Sequence, residues 1–255
     1  MQSDEVVSVI LKHIGETKMD ISMLIQEGER LSRPAILLST KVQTASQVVG
    51  IWGGKGYRVV PQTGHYRGGF HWITLDTGLF NQVGLYYRNQ PYRGTLSVFE
   101  NPKWARPFQV FYNPDQIFQI DDFKGQPLSA RLIQTLPPFE AICLYGSPQL
   151  EAWLTSLGRK RLDYSLDDGP DDTPATQTFF ELANAYSEHY ERRAPFDINE
   201  GEDIAFIGGW PMSWPDDNFY MPAEVKFLCM TVQSAEPWLE IWNRGWNFWV
   251  TARIT

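Results

Sequence analysis

Trp210, Trp214, Trp238, Trp242, Trp246 and Trp249 gather six of the chain's ten tryptophans into less than a fifth of its length. An indole ring needs a large fitted space, and its N–H needs a partner, so this block is either a packed wall or an aromatic recognition surface. Read as a strand, Trp246 to Ile254 sets Trp246, Phe248, Val250, Ala252 and Ile254 on one face. Asn247, Trp249, Thr251 and Arg253 fall on the other, because side chains alternate along a strand. The first is a core face; on the second, Trp249 is the anomaly. Asn243-Arg244-Gly245 reads as a three-residue hairpin loop with Gly245 left-handed. The partner strand would run from Trp238 to Trp242, with Leu239 and Ile241 opposing a face of Trp238, Glu240 and Trp242. Trp238, Trp242 and Trp249 then share the less apolar side. Either a helix over 178–193 covers it, or it is an exposed patch for a partner or ligand. Trp210 and Trp214 are expected to brace proline turns.

A 43% hydrophobic and 20% charged composition over 255 residues excludes wholesale disorder and allows a sizeable core. One α+β domain over 1–255 is expected. Net charge −8 and pI about 5.0 disfavour nucleic acid and anionic membrane, which need clustered positive charge. They leave room for a protein partner with a basic surface, and they say nothing of oligomeric state. No stretch reaches the roughly 18 apolar residues of a membrane span, and Met1-Gln2-Ser3-Asp4-Glu5 does not open a secretory signal. Cys143 and Cys229 sit in apolar runs, as buried thiols of a reducing compartment do. A cytoplasmic protein is expected.

The first thirty residues read as a helical hairpin. Val6, Val9, Ile10 and Ile14 recur at helical spacing, Thr17 to Asp20 has capping-box form, and Ile21, Leu24 and Ile25 give the second helix its face. From Ala35 the period changes. Ala35–Leu38 and Val48–Trp52 read as strands buried on both faces, while His71–Asp76 and Thr95–Phe99 alternate. Phe108–Tyr112 and Phe139–Leu144 are further strand candidates. Turn residues separate these runs at Gly53-Gly54, Gly68-Gly69, Asn89-Gln90-Pro91 and Asn113-Pro114-Asp115, which predicts an antiparallel-rich sheet. Two amphipathic helices follow. Ser147 caps the first, with Pro148 at its first position, Leu150, Trp153, Leu154 and Leu157 on its face and Gly158 at its end. Thr178 opens the second, whose face carries Phe179, Leu182, Ala183, Tyr186 and Tyr190. Between them, 163–175 is an acidic loop holding Asp163, Asp167, Asp168, Asp171 and Asp172, without the ligand spacing of a calcium site.

No catalytic motif is spelled out. His65 and His71 lie six apart across two glycines, a spacing that suits neither a helical nor a strand metal site. Alternation puts His71 on the face of Ile73 and Leu75, as a hydrogen-bonded core or edge histidine. A hydrolase or small-molecule-binding enzyme would recruit His65 and His71 with Asp76 or Glu100 as orienting carboxylate. Gly53-Gly54-Lys55-Gly56 lacks the first glycine and the Ser or Thr of a phosphate loop, and reads as a hairpin turn before a strand at Tyr57–Val60. Tyr86-Tyr87-Arg88, Tyr92-Arg93 and Trp104-Ala105-Arg106 form a local basic-aromatic band, which the acidic chain argues against using for nucleic acid. No metal and no cofactor are expected.

Gly208-Gly209-Trp210-Pro211, Trp214-Pro215 and Phe227-Leu228-Cys229-Met230-Thr231-Val232 resemble the GG-x-P, W-P and FL-x-Q-I pattern of the YwqG-like bacterial proteins. The glutamine of that pattern is absent here, and its acidic Trp-Gly-Asp-Gly turn stands as Trp242-Asn243-Arg244-Gly245. The resemblance implies a mixed α+β fold of similar length and, because some of those proteins are encoded near toxins, an immunity or interaction role. It brings no catalytic residues. The expectation is a non-enzymatic, protein-binding, immunity-like module using Trp238, Trp242 and Trp249. The enzyme built on His65, His71 and Asp76 is the alternative. A carbohydrate-binding module stacking tryptophan on sugar is the second.

Overall fold

A computed structural model describes residues 20–41, 48–56, 70–87, 89–100, 108–119, 123–156, 174–192, 203–210, 225–231, 238–244 and 247–253. Of 55–56, 87, 123–124, 174–176, 191–192, 203, 225–231, 238–240, 242–244 and 247–253 it describes the backbone only. The fold is α+β and rich in antiparallel sheet. Its strands are β1 (Arg33–Ser39), β2 (Gly50–Gly56), β3 (Phe70–Asp76), β4 (Tyr86–Tyr87), β5 (Gln90–Pro91) and β6 (Thr95–Glu100). They continue with β7 (Phe108–Asn113), β8 (Phe123–Thr135), β9 (Asp203–Gly208), β10 (Val225–Thr231), β11 (Trp238–Arg244) and β12 (Asn247–Arg253). The helices are α1 (Ile21–Arg30), α2 (Gly78–Gln82), α3 (Phe139–Tyr145), α4 (Pro148–Ser156) and α5 (Pro174–Arg192). None of the described helices is long and apolar enough to cross a membrane.

Contacts divide the chain into two compact units, one of α1, α3, α4 and α5 and one of the sheet with α2. Ten strands form one sheet in the order β12-β11-β10-β9-β1-β8-β2-β3-β6-β7, and β4 pairs with β5 apart from it. The sheet curls, so that its end strands β12 and β7 lie against each other. Its core includes Ile36, Leu38, Ile73, Leu75, Leu96, Val98, Leu128, Ile207 and Ile241, with Leu79 and Phe80 of α2 added. β1 is buried on both faces from Ala35 to Leu38, as its unbroken apolar run predicts. Asn81 anchors α2 to the chain before β6: its amide donates to the Tyr92 carbonyl at 2.8 Å and accepts from the Tyr92 N–H at 2.7 Å. Trp210 is 1% exposed, a core residue of this unit.

In the helical unit, Leu24 of α1 meets Phe139, Ile142 and Cys143 of α3, Leu150, Trp153 and Leu154 of α4, and Phe179, Ala183 and Tyr186 of α5. Asp20, not Thr17, caps α1, accepting from the Met23 N–H at 3.0 Å. Ser147 caps α4 through a 3.4 Å bond from the Leu150 N–H. Phe139–Leu144 is a helix rather than a strand. Phe139, Ile142 and Cys143 stand at i, i+3 and i+4 and are all buried, a pattern a short apolar run shares with a strand. The last helix begins at Pro174, four residues before Thr178, with proline at its first position. β8 has no counterpart among the predicted strands, because Gly125, Pro127 and alternate polar residues disguise it. Gly53-Gly54 is not a turn, since β2 runs on to Gly56. The first helix of the N-terminal pair, the strand at Tyr57–Val60, the Gly68-Gly69 turn, Trp104, Gly158, residues 163–173 of the acidic loop and Trp214 lie outside the described residues, while 174 and 175 open the last helix.

Gly28 of α1 is a place where helix propensity and packing conflict. A Cβ there would collide with the Tyr186 hydroxyl, which donates to the Pro137 carbonyl at 2.9 Å. Alanine normally stabilises a helix by about 1 kcal/mol over glycine. We expect Gly28→Ala instead to destabilise by roughly 1–3 kcal/mol in urea unfolding, as overpacking does. Combining it with Tyr186→Phe, which removes the nearest atom, should cost less than the two single changes added together; strict additivity would refute the contact.

Candidate functional site

The register of β3 against β6 shifts at one point. His71 faces Phe99 and Ile73 faces Val98, so Trp72 is an extra residue with no opposite number. This bulge decides where each side chain of the strand goes. Beyond it, Ile73 and Leu75 belong to the core of the sheet, and Trp72 packs against that same core. His71 is carried to the opposite face, with Phe99, Thr74 and Ser97, contrary to the simple alternation that groups it with Ile73. The neighbouring strand is irregular at the same level. β2 shifts register against β8 between Trp52 and Lys55, where Gly53 and Gly54 take φ of 64° and 80°. A left-handed pair of this kind suits glycine, which has no Cβ to strain.

His71 joins the two irregularities. Its Nδ1 lies 2.6 Å from the Gly53 carbonyl, which only accepts, so Nδ1 carries the proton. Nε2 of the neutral ring therefore accepts from the Thr74 hydroxyl at 2.8 Å, and Thr74 Oγ1 lies 2.6 Å from Ser97 Oγ. All three side chains are buried. Burial pushes the imidazole below its ordinary pKa, outweighing the backbone bonds that favour its charged form. Asp76 is occupied elsewhere, since its Oδ1 accepts from the Gly78 N–H at 2.8 Å and starts α2. His65 lies outside the described residues. Among those residues, no group of three His, Cys, Asp or Glu side chains could hold a metal ion.

The terminal hairpin is built differently from the expected one. Arg244 pairs with Asn247, so the connection is the two residues Gly245 and Trp246, which themselves lie outside the described residues. The strands still pair Trp242 with Trp249 and Trp238 with Arg253. By alternation, positions 238, 240, 242, 249, 251 and 253 share one face. The other face carries position 241, and Ile241 is 1% exposed in the sheet core. The side chains of Trp238, Trp242 and Trp249 lie outside the described set, as does that of Cys229.

A second aromatic group has no signature in the sequence. Trp52 of β2 and Trp72 of β3 meet edge to face, with centroids 5.4 Å apart and planes at 87°. Trp72 and Phe108 of β7 repeat the arrangement at 5.7 Å and 76°. The Trp72 indole N–H donates to Glu100 Oε2 at 2.7 Å. Glu100 stands in a cross-strand row between Phe70 and Phe108, and the Phe70 ring is 69% exposed. Only the bulge brings Trp72 to this side, and no local sequence signal announces a bulge at a tryptophan. No family model matches this chain, and no curated protein matches its sequence.

The depressed His71 pKa sets a pH dependence. The unfolded chain binds a proton near pH 6.5 that the folded chain resists, so stability is full above that pH and declines as pH falls toward the lower folded value. We expect urea-unfolding stability to drop between pH 7 and 5. His71→Gln should lose about 1–3 kcal/mol at pH 7 from the broken network and show a flatter slope. Equal slopes in both proteins would contradict the assignment.

Proposed function

We propose that this chain is a non-enzymatic, cytoplasmic protein-binding module, immunity-like in the sense of the YwqG-like resemblance, which meets a basic partner through its β11–β12 hairpin. One observation carries the reading: the register of that hairpin aligns positions 238, 242 and 249 on a single face, away from the buried Ile241. Tryptophan is the side chain most enriched among residues that dominate binding energy at interfaces. Glu240 stands between two of the three on the same face, and a net charge of −8 attracts a basic surface over longer range. The hydrolase alternative draws less support, because both ring nitrogens of His71 are committed to buried bonds and Asp76 serves α2.

The test uses the full chain as bait in extract of its own host. The wild type should retain a basic protein, more weakly as salt is raised. Trp242→Thr with Trp249→Thr, which keeps β propensity, should retain at least about tenfold less while its thermal unfolding stays close to wild type. Undiminished capture would remove these positions from the binding surface. Loss of capture together with unfolding would make them architecture.

A further inference from the structure

We propose that Trp52, Trp72, Phe108 and Glu100 form a binding site for a methylated ammonium group, separate from the hairpin face. The strongest reason is the carboxylate. Glu100 is half-buried, and its Oε2 accepts from an indole N–H. Among the described residues no cationic side chain is bonded to it. Trp72 turns its N–H edge to this carboxylate, Phe70 and Phe108 are its cross-strand neighbours, and the faces of such rings carry negative electrostatic potential. A half-buried carboxylate that holds one indole N–H beside further rings is a place where a cation lowers the electrostatic energy.

The geometry narrows the class of cation. Successive planes at 87° and 76° make right-angled corners rather than one flat platform. A flat guanidinium stacks on a single face, whereas a tetrahedral methylated ammonium presents methyl groups to two perpendicular walls at once. Such a group is weakly hydrated, so it loses little on entering a partly desolvated site, and aromatic walls with a cation are the recognised mode of binding it. A bare ammonium would lose more of its water there. The corners are also built in. The Trp72 bulge turns its indole toward Trp52 and onto Glu100, and bulges at sheet rims commonly re-aim a side chain. Phe70, the cross-strand partner of Glu100 on β3, leaves a further aromatic residue mostly exposed beside the carboxylate.

Three probes are titrated into the full chain by calorimetry, against an equal concentration of sodium chloride: tetramethylammonium, choline and a trimethyllysine peptide. The Trp72 indole N–H resonance, identified by its loss in Trp72→Phe, reports the place. Saturable binding of at least one probe is expected, with movement of that resonance, and the tighter of choline and the peptide identifies a free or a protein-borne source. Glu100→Gln keeps an acceptor for the indole while removing the charge, and should weaken binding about tenfold or more. Should that variant melt earlier than wild type, Trp52→Leu on the neighbouring strand is judged by the same loss. The assignment is overturned if none of the three probes binds saturably. It is equally overturned if the variants bind as wild type does, if choline's neutral carbon isostere binds as well as choline, or if guanidinium binds more tightly than tetramethylammonium.

Discussion

β8 is the strand on which the sheet depends. It lies between β1 and β2, and antiparallel pairing carries the sheet outward on both sides, through β9 to β12 and through β3, β6 and β7. Its early residues pair with β2, from Phe123 to Leu128; farther along, Ser129 donates to the carbonyls of Ser39, the last residue of β1, and of Lys41 just beyond it. At 13 residues it is long enough to serve both neighbours in sequence. Remove it and two shorter sheets remain, each with an unpaired edge. Gly125 lets this strand come close to β2, since a Cβ there would strike the carbonyls of Trp52 and Gly53.

That close approach occurs where β2 is irregular, and the irregularity passes to β3. Gly53 and Gly54 bend the backbone, His71 holds the Gly53 carbonyl, and one residue farther Trp72 is extruded from the ladder. The two sides of β3 consequently have different chemistry at one level. One side carries a buried polar chain of His71, Thr74 and Ser97; the other carries rings around a carboxylate. Each depends on the other's backbone. A network with every member bonded keeps a bulge from sliding along the strand, because slippage would leave buried polar groups unpaired.

Much of the architecture is legible in the sequence, and for identifiable reasons. The doubly buried run of β1, the apolar runs of β6 and β7 between turn residues, the proline and serine opening α4, and the paired tryptophan strands are all local signals. Phe139–Leu144 misleads because six residues are too few for a periodicity to separate helix from strand. β8 is hidden by a glycine and a proline whose positions make sense only beside β2. Of the site residues, position 71 is legible as a hydrogen-bonded histidine, yet its partner Gly53, and Ser97, which it reaches through Thr74, are 18 and 26 residues away in the chain. The Trp52, Trp72, Phe108 and Glu100 group draws on four strands, and no spacing links them.

What the sequence by itself determined is the class of fold, the net negative charge and the sharing of one hairpin face by positions 238, 242 and 249. Those follow from composition, from period and from a connection between adjacent strands. Only the tertiary structure decided which face of β3 carries His71 and which carries Trp72. A single extra residue inverts every later side chain of a strand, and whether it is accommodated depends on the neighbouring strand's register, which is a property of pairing and not of local sequence.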